Sequence, residues 1–173
     1  SSGELDALLA PIALYPDALV AQVLMASTYP LEVVEADRFS KSKKLSGDAA
    51  IKAAENERWD VSVKSLTAFP NVLDMMSAQL SWTQQLGDAF LDQQVDVMDS
   101  IQRLRVQAQK AGNLQSGGQQ IVKSEGQIII IEPAQPQVIY VPAYNPNTVY
   151  GTWGYPTYPP TYYAPSSNWY PGQ

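Results

Sequence analysis

Leu14-Tyr15-Pro16-Asp17-Ala18-Leu19-Val20-Ala21-Gln22-Val23-Leu24-Met25-Ala26-Ser27 is the stretch whose reading decides the fold class. Pro16 stands where a helix can begin, because the first helical position lacks only a donor that would be unpaired anyway. From there to Ser27 nearly every side is apolar, so the segment reads as a central helix surrounded by others. Such a helix requires a helical body around it. The same device recurs at Thr28-Tyr29-Pro30 and Ala68-Phe69-Pro70, each again marking a helix start. Within the first 112 residues glycine occurs only at Gly3, Gly47, Gly87 and Gly112, the pattern of helices with deliberate stops.

Working outward, the helix from Pro30 towards Ser42 is expected to bury Leu31, Val34 and Phe39. Glu32, Glu35, Asp37 and Arg38 are then exposed, and Lys41, Lys43 and Lys44 lie at its negative end. Ser46 and Asp60 cap short helices reaching Ala54 and Ala68, with Trp59 as a staple residue. From Pro70 the pattern continues to Ala111, with a capping-box restart at Ser81-Trp82-Thr83-Gln84. Leu86, Phe90, Val97, Ile101, Leu104 and Ala108 form one apolar stripe, which predicts a long helix ending at Gly112-Asn113. Five to seven helices are expected from about Leu5 to Ala111.

Beyond Ser116-Gly117-Gly118 the apolar residues run in β fashion: Ile121-Val122, Ile128 to Ile131, and Val138 to Val141. Glu125-Gly126 suits a hairpin turn, while Pro133 and Pro136 bracket the connection to a third strand. So short a ribbon needs a surface to lie on, supplied by the helical body or by another chain. The expected fold is therefore mainly α: a helical body (1–112), a link and small antiparallel β-ribbon (113–141), and an extended arm (142–173).

Composition narrows function. The chain has 11 Lys+Arg against 17 Asp+Glu, a net charge of −6, no His and no Cys. This excludes disulfides, His- or Cys-based zinc sites and nucleophile systems that need His or Cys, and it gives nucleic acid no basic footprint. No cofactor is implied. The apolar run from Ala18 to Ala26 is too short to span a membrane. The opening Ser1-Ser2-Gly3-Glu4 reads as a processed chain or a fragment. Every charge lies between Glu4 and Glu132, whereas residues 133–173 hold nine of the 13 prolines and eight of the 10 tyrosines.

Two segments carry a resemblance. Leu5-Asp6-Ala7-Leu8-Leu9-Ala10-Pro11-Ile12-Ala13-Leu14-Tyr15-Pro16-Asp17, continued by Gln22-Val23-Leu24-Met25-Ala26-Ser27-Thr28-Tyr29-Pro30, and Trp82-Thr83-Gln84-Gln85-Leu86-Gly87-Asp88-Ala89-Phe90 together resemble the bacterial family called domain of unknown function 3300. Val138-Ile139-Tyr140-Val141-Pro142-Ala143-Tyr144-Asn145-Pro146 with Val149-Tyr150-Gly151 is similar to the segment after that family's strands. The resemblance covers roughly residues 4 to 155. It implies an exported protein of the bacterial envelope, periplasmic, outer-envelope or extracellular, and it implies no activity and no catalytic residue.

Several clusters invite a chemical reading. Asp88, Asp92, Asp96 and Asp99 line one helix face, which reads as a solvated surface with Arg103 pairing Asp99 rather than as a calcium site. Glu32 and Glu35 lack the cleft that two-carboxylate glycoside chemistry needs, and Ser40-Lys41-Ser42-Lys43 sits at a basic helix end. Trp82, Gln84, Gln85 and Gln22 suit buried amide bridges that fix backbone, a structural role. The arm is the strongest signal. Tyr140, Tyr144, Tyr150, Trp153, Tyr155, Tyr158 and Trp169 offer large contact area with few rotamers to freeze. Such residues suit association with protein, self-association into an oligomer or filament included, helped by strand addition at Ile128–Ile131 or Val138–Val141. Alternatively Tyr144, Tyr150, Trp153 and Tyr155 form a platform for cell-wall glycan, the arm is a Pro-rich linker, or the chain is a hydrolase built on carboxylates.

Overall fold

The computed structural model describes residues 1–163, which form two compact units: residues 1–20 with 93–163, and residues 21–92. Its elements in order are α1 (Ser2–Leu9), α2 (Asp17–Ala26), α3 (Pro30–Lys43), α4 (Gly47–Ala53), α5 (Val61–Leu66), α6 (Pro70–Ala78), α7 (Leu80–Asp92) and α8 (Gln94–Lys110). The strands β1 (Gln120–Glu125) and β2 (Ile128–Pro133) and the single turn α9 (Pro146–Val149) follow. The fold is mainly helical with one small antiparallel sheet. The expected ribbon, and the arm as far as residue 163, fall in the first unit.

Proline starts hold. Pro30 and Pro70 open α3 and α6, and the Pro16 carbonyl accepts the first amides of α2, from Leu19 and Val20. α2 buries Leu19, Val20, Val23, Leu24 and Ala26 but exposes Ala18, Ala21 and Met25 at i, i+3 and i+7. It is therefore not surrounded on all sides.

In the first unit α1 lies against α8. Ser1 caps α1 by accepting from the Glu4 amide, and Leu5, Ala7 and Leu9 are buried, as are Val97, Ile101, Leu104 and Ala108 of α8. Asp6 is fully buried on the same helix and is neutralised from α8. The Ser100 hydroxyl donates to it at 2.6 Å and the Arg103 guanidinium at 2.6 Å. Arg103 thus pairs with Asp6, not with Asp99, because a buried carboxylate gains far more from a partner than a solvated one does. α8 ends in a Schellman arrangement: Gly112 at φ +80° donates to Gln109 and Asn113 donates to Ala108, the stop expected from sequence.

The single long helix is interrupted. Gln93, at φ −139° and ψ 49°, separates α7 from α8, so the apolar stripe is shared by two helices. The earlier restart lies at Leu80 rather than at a Ser81 cap. Gln79 leaves the helical region, and the Thr83 hydroxyl bridges the break by donating to Met76 and Gln79.

β1 and β2 pair from Gln120↔Pro133 to Glu125↔Ile128 around Gly126-Gln127. Gly126 at φ +63° supplies the left-handed first position that a type II′ turn demands. Val138–Val141 is not a third strand, and only an isolated Gln135↔Val138 bridge forms there, because Pro136 and Pro142 withhold the donors a ladder needs.

In the second unit α3 packs on α6, and α5 and α7 join them. α3 buries Val33, Ala36, Asp37 and Ser40, while Leu31 is 74% exposed. The apolar stripe is turned from the expected one because Asp37 goes inside, where Lys41 donates to it at 2.9 Å and also reaches Asp74 at 3.0 Å. Glu35 accepts from the Trp59 indole at 3.0 Å and Glu32 from the Asp60 amide at 2.6 Å, so these carboxylates fasten the chain before α5. Asp60 caps α5 as expected, and its hydrogen bonds from Ser62 hold its carboxyl below the usual range.

Candidate functional site: the turn that receives the arm

Residues 10–15 form a tight turn between α1 and α2, and Pro11 to Pro16 are all buried. A turn that leaves helical geometry strands its carbonyls, and each must find a donor. Here the donors come from α8 and from the arm. Arg105, 2% exposed, sends Nε to the Ala13 carbonyl and Nη2 to Tyr15, both at 2.9 Å. Its Nη1 reaches Asp17 at 2.6 Å and the Ile129 carbonyl at 2.9 Å. Guanidinium alone among side chains presents enough fixed donors for such a fork.

The same network docks the ribbon. The register sends the backbone groups of Ile129 and Ile131 outward from the hairpin. The Gln102 amide meets both groups of Ile129, donating at 3.2 Å and accepting at 2.8 Å, and Asp17 accepts from the Ile131 amide at 3.2 Å. The outer edge of β2 is thereby occupied. On that edge both backbone groups of Ile129 and the amide of Ile131 are bonded within the chain.

The Ala10 carbonyl receives the arm. The Tyr144 hydroxyl donates to it at 2.9 Å and accepts from the Leu14 amide at 3.4 Å, taking the place a helical bond from Leu14 to Ala10 would fill. The Tyr150 hydroxyl donates to the same carbonyl at 2.6 Å. Between them Asn145 accepts from the Asn147 amide and Pro146 opens α9, while Asn113 donates to the Val149 carbonyl at 2.9 Å. The arm continues as an aromatic ladder with ring centroids 6.5 Å apart for Tyr15–Tyr144, 6.3 Å for Tyr144–Tyr150, 5.8 Å for Tyr150–Trp153 and 6.2 Å for Trp153–Tyr155. Its far end returns to α1: Thr161 donates to the Ala7 carbonyl at 3.0 Å, and a Cβ on Gly3 would stand 2.8 Å from the Tyr155 ring and 3.0 Å from that of Tyr158.

The residues singled out in sequence are thus divided. Tyr150 is buried, Tyr140, Tyr144, Trp153 and Tyr155 are half-buried, Tyr158 is exposed, and Trp169 lies outside the described residues. Tyr144, Tyr150, Trp153 and Tyr155 come together on one ladder. Gln84 and Gln85 are exposed, so the amide that bridges backbone is Gln102 instead. Asp6, Gln102 and Arg105 carry the assembly with Asp17 and were not among the candidates, whereas Asp17, at the start of α2, reads from sequence as a structural carboxylate and serves as one. Arg105 had a signal: it stands four residues after Ile101 and three before Ala108, a charge on the apolar side of α8.

A family model for proteins of unknown function, DUF3300, matches residues 1–172. The chain belongs to this family. The uncharacterized protein YacH of Escherichia coli (strain K12) is 44% identical over 198 residues, spanning 95% of this chain and 32% of that protein. The chain therefore covers less than a third of that relative's length. No solved structure matches. The DUF3300 match runs through both the receiving turn and the arm, so the two meeting surfaces lie within one family region. Among the described residues no helix is long and apolar enough to cross a membrane, and no cluster of acidic groups is arranged to hold a metal ion.

Burial pushes the phenols of Tyr15, Tyr144 and Tyr150 well above their ordinary 10.0, with the neighbouring phenols adding to the effect at Tyr144. Their folded values lie above their unfolded ones, so the stability they confer is complete below about pH 10 and is lost as the pH rises beyond it. Each takes away up to about 1.4 kcal/mol per pH unit once the unfolded phenol ionises. Lys41, raised by Asp37 and Asp74, acts in the same direction. Urea unfolding is expected to show constant stability up to about pH 9 and a steep fall above about pH 10.5. An absorbance titration in which all tyrosines of the folded chain ionise together near their ordinary value would refute the burial.

Proposed function

We propose that this chain is a non-enzymatic interaction region of an exported envelope protein, which associates through the outer part of its aromatic arm. The observation that carries the reading is the ladder itself. Its inner rungs, Tyr144 and Tyr150, are spent on holding the arm to the Ala10 carbonyl, while Trp153, Tyr155 and Tyr158 keep part of their surface in solvent. Aromatic side chains immobilised beforehand lose little entropy when a partner covers them, which favours binding. The carboxylates weighed for chemistry support the same view, since Glu32 and Glu35 are taken up by the Asp60 amide and the Trp59 indole. Export rests on the family resemblance.

A triple substitution of Trp153, Tyr155 and Tyr158 by Ala, with Tyr144 and Tyr150 retained, tests the reading. Association measured by light scattering is expected to disappear while the circular dichroism of the helical body is unchanged. Undiminished association would count against it. Glycan binding is a second reading, favoured by the part-exposed rings of Trp153 and Tyr155. It is supported if the intact chain is retained on purified wall material and the triple variant is not.

A further inference from the structure

We propose that the turn at residues 10–15 also accepts the arm of a second copy of this chain, so that neighbouring chains exchange residues 144–161. The inference rests on the reading of the arm as the associating element, and extends the contact from its outer rungs to the inner ones, Tyr144 and Tyr150, by naming their receptor in the second chain. What it needs is a segment that fits the turn closely but is weakly tied on the way there, and both conditions are met.

The fit is the set of contacts already described. Tyr144 and Tyr150 share the Ala10 carbonyl, Asn113 holds Val149, Thr161 pairs with Ala7, and the rings of Tyr155 and Tyr158 lie where Gly3 leaves room. The tie is residues 135–143. Residues 135–138 are exposed, Pro136 and Pro142 interrupt the backbone, and among the described residues the single backbone bond there is Val138 to Gln135 at 3.0 Å. No side-chain hydrogen bond reaches this stretch among the described residues, and Val141 is its one buried side chain. A connector of this kind can follow either path at little cost. Every contact at the turn is the same whether the arm belongs to the same chain or to another, so exchange creates an interface without any new surface. The second copy is the one occupant whose fit is already displayed.

Because the chain contains no Cys, a single engineered pair reports the path directly. A Cβ on Gly151 would stand 3.4 Å from that of Ala111, close to the separation in disulfides. The full chain carrying Ala111→Cys and Gly151→Cys is refolded and oxidised at low and at high concentration and resolved without reductant. Exchange predicts disulfide-linked dimers or longer ladders whose ratio to the internally linked monomer rises with chain concentration, as mass action requires. Since Gly151 lies at φ +72°, where Cys is strained, a second pair is placed at Asn113→Cys with Val149→Cys, where the Asn113 side chain reaches the Val149 carbonyl at 2.9 Å. Internally linked monomer alone at every concentration overturns the inference. Absence of any link in both pairs overturns it too, because the arm would then not occupy the turn. Light scattering on the same samples separates the two levels: an oligomer that contains only internal links leaves association standing and removes exchange.

Discussion

Arg105→Leu is expected to destabilise the chain by roughly 3–5 kcal/mol, chiefly the cost of leaving buried backbone carbonyls without a donor. Leucine fills much of the volume but donates nothing. The carbonyls of Ala13 and Tyr15 would then face an apolar interior unpaired, each costing about 1–3 kcal/mol, and the Ile129 carbonyl would keep only Gln102. Asp17 is 46% exposed and can turn to water, so the carboxylate adds less to the loss than the carbonyls do. Arg105→Lys should recover only part of it, because one ammonium cannot span acceptors laid out for a fork. Since small domains are stable by about 5–15 kcal/mol, the leucine variant forfeits a large share of the total. Urea unfolding gives the magnitude, and faster amide exchange at Ile131 shows that the ribbon has come loose. A loss below about 1 kcal/mol, the scale of an exposed pair, would mean that Arg105 is not the organising group.

Gly87→Ala is expected to cost about 3 kcal/mol, at the upper end of what overpacking by one methyl does. An added Cβ would lie 2.3 Å from the Ser27 carbonyl oxygen and 2.8 Å from its carbon, both backbone atoms that cannot swing aside. α7 would have to withdraw from the end of α2, loosening the face on which Trp82, Leu86 and Ala89 are buried. Gly154→Ala, where a Cβ meets open space, is the control and should be neutral. Thermal unfolding of the two variants decides the matter: equal midpoints would show that the close approach at Ser27 is absent in solution.

Helix starts were legible because Pro and Asp act locally, through a missing donor at Pro30 and Pro70 and a carboxylate beside free amides at Asp60. The hairpin at Gly126 and the stop at Gly112 were legible for the same reason, since each needs a left-handed residue. What was not legible is long-range. The apolar stripe across Leu86 and Ala108 continues through Gln93, so periodicity alone gives no sign of a break. Leu31 and Asp37 exchanged places because hydropathy ranks them by type, whereas Lys41 and Asp74 decide that Asp37 can be inside. The aromatic arm stood out by composition, but its receptor did not: Ala10 contributes a backbone carbonyl, which no side-chain pattern announces.

The central claim is that this chain associates through its arm, and the native mass of the intact chain is its most direct test. Light scattering across a concentration series is expected to rise above the 19.0 kDa of one chain. A mass that stays at one chain throughout would contradict it and leave the arm as a brace for its own helices.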